Sequence, residues 1–241
     1  MRWRRRFSDA PGKPPPGPVD RLVKALAGAG SDLRRELVQR QAGDRLTPLE
    51  VAELAGRPLP EASAEWLGRI AALTGLGRVE PAGFERRVIQ PTVEIYGDPR
   101  FPSRDKSLVI GFTGQLNRLM MPLAAFLQAL PAERCDLVVV RKGREDHYDR
   151  GIPPWTGMTE AAGALLREAG AARYRRLATF GVSAGGLPAL RYGILGGAGR
   201  AVSVGGRFHW HVHRLRTGGE VPAVDPLCAC MTSRWPELVC V

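Results

Sequence analysis

The sequence predicts an α/β protein, in which a mostly parallel sheet is covered by helices on both faces and preceded by a small N-terminal helical region. Three observations lead there. From Val93 onward, apolar runs of strand length alternate with segments of helical periodicity, as a parallel sheet with helical crossovers requires. One strand-to-helix junction, Gly181-Val182-Ser183-Ala184-Gly185, has the form Gly-x-Ser-x-Gly. It follows the apolar run Leu177 to Phe180 and precedes Leu187, Leu190 and Arg191 at helical spacing. Residues 19–77, in contrast, show helical periodicity and helix start signals.

Taken in order, residues 1–18 are first basic (Arg2, Arg4, Arg5, Arg6) and then rich in proline (Pro11, Pro14, Pro15, Pro16, Pro18). Such a stretch has too little apolar surface to offset the entropy of ordering, and a disordered tail is expected. The helical region is placed at 19–85. Leu22 and Leu26, then Leu33 and Leu37, mark helical faces separated by Gly28-Ala29-Gly30. Thr47-Pro48-Leu49-Glu50 combines a capping threonine, a proline at the first helical position and a glutamate three residues after the cap. Ala62 to Leu73 adds an amphipathic segment with Trp66, Leu67, Ile70 and Leu73. No catalytic constellation lies here. A structural cap is the preferred role, with substrate shaping and partner docking left open.

The α/β domain is placed at 86–241. Val93 to Tyr96 reads as an edge strand, followed by a turn at Gly97-Asp98-Pro99. Ser107 to Gly114 reads as a buried parallel strand, Leu119 to Leu130 as a helix, and Asp136 to Arg141 as the next strand. A loop through Gly151 and Trp155 leads to a helix from Thr159 to Ala169, stopped by Gly170. Then come the Ser183 junction, a strand at Arg200 to Gly205 and a last strand at Glu237 to Val241.

From roughly Val93 to Val241 the chain resembles the α/β-hydrolase superfamily. Gly181 to Gly185 matches its nucleophile elbow, a turn so sharp that the serine is strained and the flanking glycines have no room for a Cβ. The resemblance implies Ser183 as nucleophile. It also implies an oxyanion hole made by the N–H of Ala184 and an N–H of the loop Thr113-Gly114-Gln115, from Gly114 or Gln115. Many members carry His-Gly where this chain has Thr113-Gly114, so that match is one of position.

A serine hydroxyl needs a histidine to take its proton and an acid to hold that histidine. The family places the acid after the second strand beyond the elbow and the histidine after the third. With Arg200 to Gly205 and Glu237 to Val241 as the first two, both partners fall past Val241, and the sequence is read as a C-terminally truncated part of a longer protein. Possible substitutes within the chain are His209, His211 and His213, Asp225, and His147 between Asp146 and Asp149. Loop, pocket-rim or solvated-charge roles suit them better. Asn117 and Arg118 stand close enough to the oxyanion loop to meet a polar group of a substrate.

The expected function is therefore that of a serine esterase or acyltransferase acting on a small-molecule acyl substrate. The alternative is a hydrolase-fold binding or accessory protein without chemistry. No cofactor and no metal are expected. Cys135, Cys228, Cys230 and Cys240 have neither disulfide nor metal-site spacing, and Gly181 to Gly186 does not give the Gly-x-Gly-x-x-Gly of a nucleotide site. The net charge of +11 comes from scattered arginines with no recognition motif, which argues for a solvated surface and against a nucleic-acid partner. No apolar run reaches transmembrane length, and the basic start is followed by Pro and Gly where a signal peptide has its apolar core, which points to the cytoplasm.

Overall fold

The computed structural model describes residues 17–141, 148, 150–206 and 236–241. Four helices come first: α1 (Pro18–Ala27), α2 (Asp32–Gly43), α3 (Pro48–Ala55) and α4 (Glu61–Thr74). Their ends follow the sequence signals. Thr47 accepts from the Glu50 N–H while Glu50 accepts from the Thr47 N–H, at 3.1 and 2.9 Å, closing a capping box over α3. Helix α1 already starts at Pro18, whose missing N–H costs nothing at that position. Val19, Val51, Leu54, Leu67 and Ile70 close a core between these helices.

Seven strands form the main sheet in the order β1-β2-β4-β3-β7-β8-β9. They are β1 (Glu85–Gln90), β2 (Val93–Gly97), β3 (Ser107–Phe112), β4 (Cys135–Val140), β7 (Arg176–Val182), β8 (Arg200–Val204) and β9 (Glu237–Cys240). The two first pairings, β1 with β2 and β2 with β4, are antiparallel; every pairing from β4 to β9 is parallel. A two-stranded hairpin, β5 (Gly151–Ile152) and β6 (Trp155–Thr156), sits apart from this sheet. Helices α5 (Leu123–Gln128), α6 (Met158–Ala169) and α7 (Gly186–Leu195) complete the described elements.

Alternation along the strands sorts side chains to two faces. Leu108, Ile110, Phe112, Val138 and Val140 pack with Ala161, Leu165, Ala189 and Tyr192 of α6 and α7. Leu137, Val139 and Tyr96 pack on the other face with Leu123 and Leu127 of α5. Because both faces are covered, the central strands read as unbroken apolar runs. The helical region joins through Ala124 of α5, which belongs to its core. Among the described residues no helix is long and apolar enough to cross a membrane.

Two expectations are corrected. Val93 to Tyr96 is not at the edge: β1 lies outside it, and Val93 to Tyr96 are all buried. Strand β1 escaped detection because Glu85-Arg86-Arg87-Val88-Ile89-Gln90 is an exposed polar edge with no clean period. The helix expected over Leu119 to Leu130 is only Leu123–Gln128. Met120 has φ +76° and Leu119 pairs with Met121 in an isolated bridge, so the helix cannot begin before Pro122.

Candidate active site

Strand β7 lies between β3 and β8 and delivers Val182 in extended conformation (φ −120°, ψ 134°). The next residue, Ser183, has φ +52°, and Ser183 to Gly185 make one tight turn before α7 starts at Gly186. A left-handed conformation at a residue with a Cβ costs on the order of 1 kcal/mol and has to be held in place by its surroundings. The two glycines show what holds it. A Cβ at Gly181 would stand 1.9 Å from the carbonyl oxygen of Gly185. A Cβ at Gly185 would stand 2.2 Å from the carbonyl oxygen of Phe112 and 2.8 Å from that of Thr113. Both close approaches are to backbone, which cannot swing aside.

The loop after β3 is pressed against this turn. A Cβ at Gly114 would lie 3.0 Å from the Val182 carbonyl oxygen and 3.6 Å from the Ser183 Cβ. The structure thus brings Gly114 against the turn that carries Ser183 and Ala184, far from it in sequence. The Gly114 N–H donates to the Arg118 carbonyl at 3.1 Å, and the Asn117 N–H donates to the Gly114 carbonyl at 3.0 Å. Gly114 therefore spends its donor inside the loop. Gln115 N–H makes no backbone hydrogen bond among the described residues. Ala184 N–H falls in a first helical turn, where N–H groups lack an intrahelical acceptor.

A buried polar cluster that the sequence reading did not single out fixes the loop from behind. Arg141, immediately after β4, pairs with Glu94 of β2 at 3.0 Å, and Tyr96 donates to the same carboxylate at 2.8 Å. The guanidinium of Arg141 also donates to the carbonyls of Asp44 at 2.6 Å and Asn117 at 3.3 Å. Asp44, at the end of α2, holds the Arg118 side chain at 2.8 Å. Asn117 and Arg118 are thus tied into the frame of the loop by backbone and side chain. Burial alone would push the Glu94 carboxyl up; the adjacent Arg141 charge and the Tyr96 hydroxyl outweigh it and hold the group below its ordinary value. At Asp44 burial wins over Arg118, and the carboxyl is raised. Beneath the loop, the Tyr148 hydroxyl lies 3.1 Å from the carbonyls of Thr113 and Val140. The signals available in the sequence were a glutamate inside an apolar run and an arginine ending one, both costly to bury unless paired.

All four histidines of the chain (His147, His209, His211 and His213) lie outside the described residues, as do Asp146, Asp149, Asp225, Cys228 and Cys230. Among the described residues no group of three or more His, Cys, Asp or Glu side chains could hold a metal ion. Cys135 is a buried free thiol, raised by burial first and the neighbouring Asp136 second.

The strand order, the covered parallel sheet and the strand-serine-helix turn together make an α/β-hydrolase-like fold. No protein-family model matches the chain, and no curated protein matches it. Among solved structures, it is similar to an S-formylglutathione hydrolase (FrmB) from Staphylococcus aureus, at 10% identity and a TM-score of 0.42, over 65% of this chain and 78% of that one. It is also similar to esterase 2 of Thermogutta terrifontis, at 14% identity and a TM-score of 0.39, over 67% and 72%. Prolyl oligopeptidase B of Galerina marginata matches at 18% identity and a TM-score of 0.38, over 56% of this chain and only 22% of that one. These likenesses concern the chain path.

Proposed function

We propose that the chain is the nucleophile-bearing part of a serine hydrolase acting on an acyl ester or a related small-molecule acyl group. Ser183 is the nucleophile, and the N–H groups of Ala184 and Gln115 receive the charge that develops on the carbonyl oxygen, with Gly114 setting the distance between loop and elbow. The observation that carries this reading is the left-handed Ser183 between two glycines that cannot accept a Cβ. A plain strand-to-helix connection has no need of that strain, whereas a hydroxyl that must project above the sheet does. Two preorganised N–H donors, one of them in the first turn of a helix, stabilise an oxyanion by several kcal/mol.

The test is covalent labelling with a fluorophosphonate, located by peptide mass spectrometry. Label on Ser183, and none on a Ser183→Ala variant, is the expected result. A folded protein, in its longest native form, that remains unlabelled would instead favour a hydrolase-fold binding protein without chemistry.

A further inference from the structure

The loop after β3 is held in a conformation that its own residues do not favour. Asn117 (φ +58°) and Met120 (φ +76°) are left-handed without being glycine, which persists only where the surroundings over-determine the backbone. Leu119 anchors the far end by burial, whereas Leu116 and Met120 are exposed and anchor nothing. From outside, the Asn117 carbonyl and the Arg118 side chain are both tied to one residue of the helical region. The Asp44 carboxylate accepts from Arg118 Nε at 2.8 Å. The Asp44 carbonyl accepts from Arg141 at 2.6 Å, and Arg141 donates onward to the Asn117 carbonyl at 3.3 Å.

Asp44 is itself placed by helix packing. It follows the last residue of α2, and its N–H donates to the Arg40 carbonyl at 3.2 Å. Gly43, just before it, is buried against Ile70 and Trp66 of α4. A continuous path therefore runs from α4 through α2 and Asp44 to Arg118, whose carbonyl takes the Gly114 N–H at 3.1 Å, and so to the Ser183 turn. Stability does not account for the Asp44–Arg118 pair. Burial outweighs Arg118 and raises the Asp44 carboxyl, so folding disfavours its charged form. The Arg118 side chain is 40% exposed and could turn to water if released. What the pair does supply is a fixed position for the loop.

We propose that Asp44 is a positioning residue for the reaction at Ser183. It holds the loop that presents the Gln115 N–H, which makes the helical region a working part of the site and more than a cap over it. This role rests on Ser183 being the nucleophile.

Asp44→Asn tests it, since this variant keeps the carbonyl bond to Arg141 and removes the charge facing Arg118. The rate of fluorophosphonate labelling at Ser183, per folded molecule of the longest native form, should fall by about ten- to a hundredfold, as for a misplaced transition-state contact. The urea midpoint at neutral pH should hold or rise. Arg118→Met should slow labelling to a similar degree, the double variant should be no slower than either single one, and Arg118→Lys should recover part of the rate. Amide hydrogen exchange over 113–118 should quicken in Asp44→Asn while β3 and β7 exchange as before. Undiminished labelling of Asp44→Asn, or slowing in Arg118→Met alone, would overturn the role of Asp44 and leave Ser183 as nucleophile. Unchanged exchange over 113–118 would overturn it whatever the labelling. A parent protein that takes no label would overturn the nucleophile and, with it, the positioning residue.

Discussion

Glycine-to-alanine exchange at the Ser183 turn tests the geometry most directly, because the same chemical change should have opposite signs at two places. At Gly185 the new methyl group would stand 2.2 Å from the Phe112 carbonyl oxygen, over 1 Å inside ordinary contact at 3.4 Å. It would also stand 2.8 Å from the Thr113 carbonyl oxygen. Those atoms belong to the end of the central strand β3 and to the loop that follows it, so relief requires α7 to lift off the sheet or the loop to move. Overpacking of this kind costs about 3 kcal/mol, the upper end of its usual range. In a chain of this size that lowers Tm by about 6–12 °C. At Gly68, on the exposed face of α4, a Cβ meets nothing within 4 Å. There alanine lowers the entropy of the unfolded chain and should add roughly 0.5–1 kcal/mol. Thermal and urea unfolding of Gly185→Ala and Gly68→Ala, measured side by side, provide the assay. A Gly185→Ala protein as stable as the parent would refute the close contact between elbow and strand, and with it the physical basis for reading the turn as a nucleophile elbow.

Three further outcomes are expected. Ser183→Gly should stabilise the fold by about 1 kcal/mol in urea unfolding, since glycine carries no penalty at φ +52°. Lys106, almost fully buried, donates to Asp136 at 2.8 Å and to the Asp98 carbonyl at 2.7 Å. Lys106→Met should therefore cost about 3–5 kcal/mol by stranding the Asp136 carboxylate, with part regained on adding Asp136→Asn; strictly additive losses would contradict the pairing. The folded Glu94 carboxyl lies below its ordinary value of 4.5, so its contribution is present above that pH and lost as pH falls through the lower folded value. A Glu94→Gln protein should thus be less stable at neutral pH and lose less on acidification, as pH-dependent urea midpoints would show.

How much could be read before folding depended on whether the signal was local. The capping box at Thr47 and Glu50, the stop at Gly170 and the Gly-x-Ser-x-Gly turn are each set by a few neighbouring residues, and all were legible. So were the central strands, since burial on both faces leaves an uninterrupted apolar run in β3, β4 and β7. The polar edge strand β1 was not legible, because its pairing with β2 is supplied by a neighbour and not by its own pattern. Helix α5 was overestimated at its start, because apolar spacing from Leu119 continued past a backbone that turns left-handed at Met120.

The sequence by itself determined the class of fold, the alternation of strand and helix, and the identity of the serine at the sharp turn. Only the tertiary structure decided what surrounds that serine. Gly114 meets Ser183 across β3 and β7, and Arg141 reaches Glu94, Asp44 and Asn117 from three parts of the chain. Pairings across the fold carry no local period, and buried charge is tolerated only where its partner arrives. Residue order announces neither, so the sharp strand-serine-helix turn could be read from the chain and the contacts that hold it in place could not.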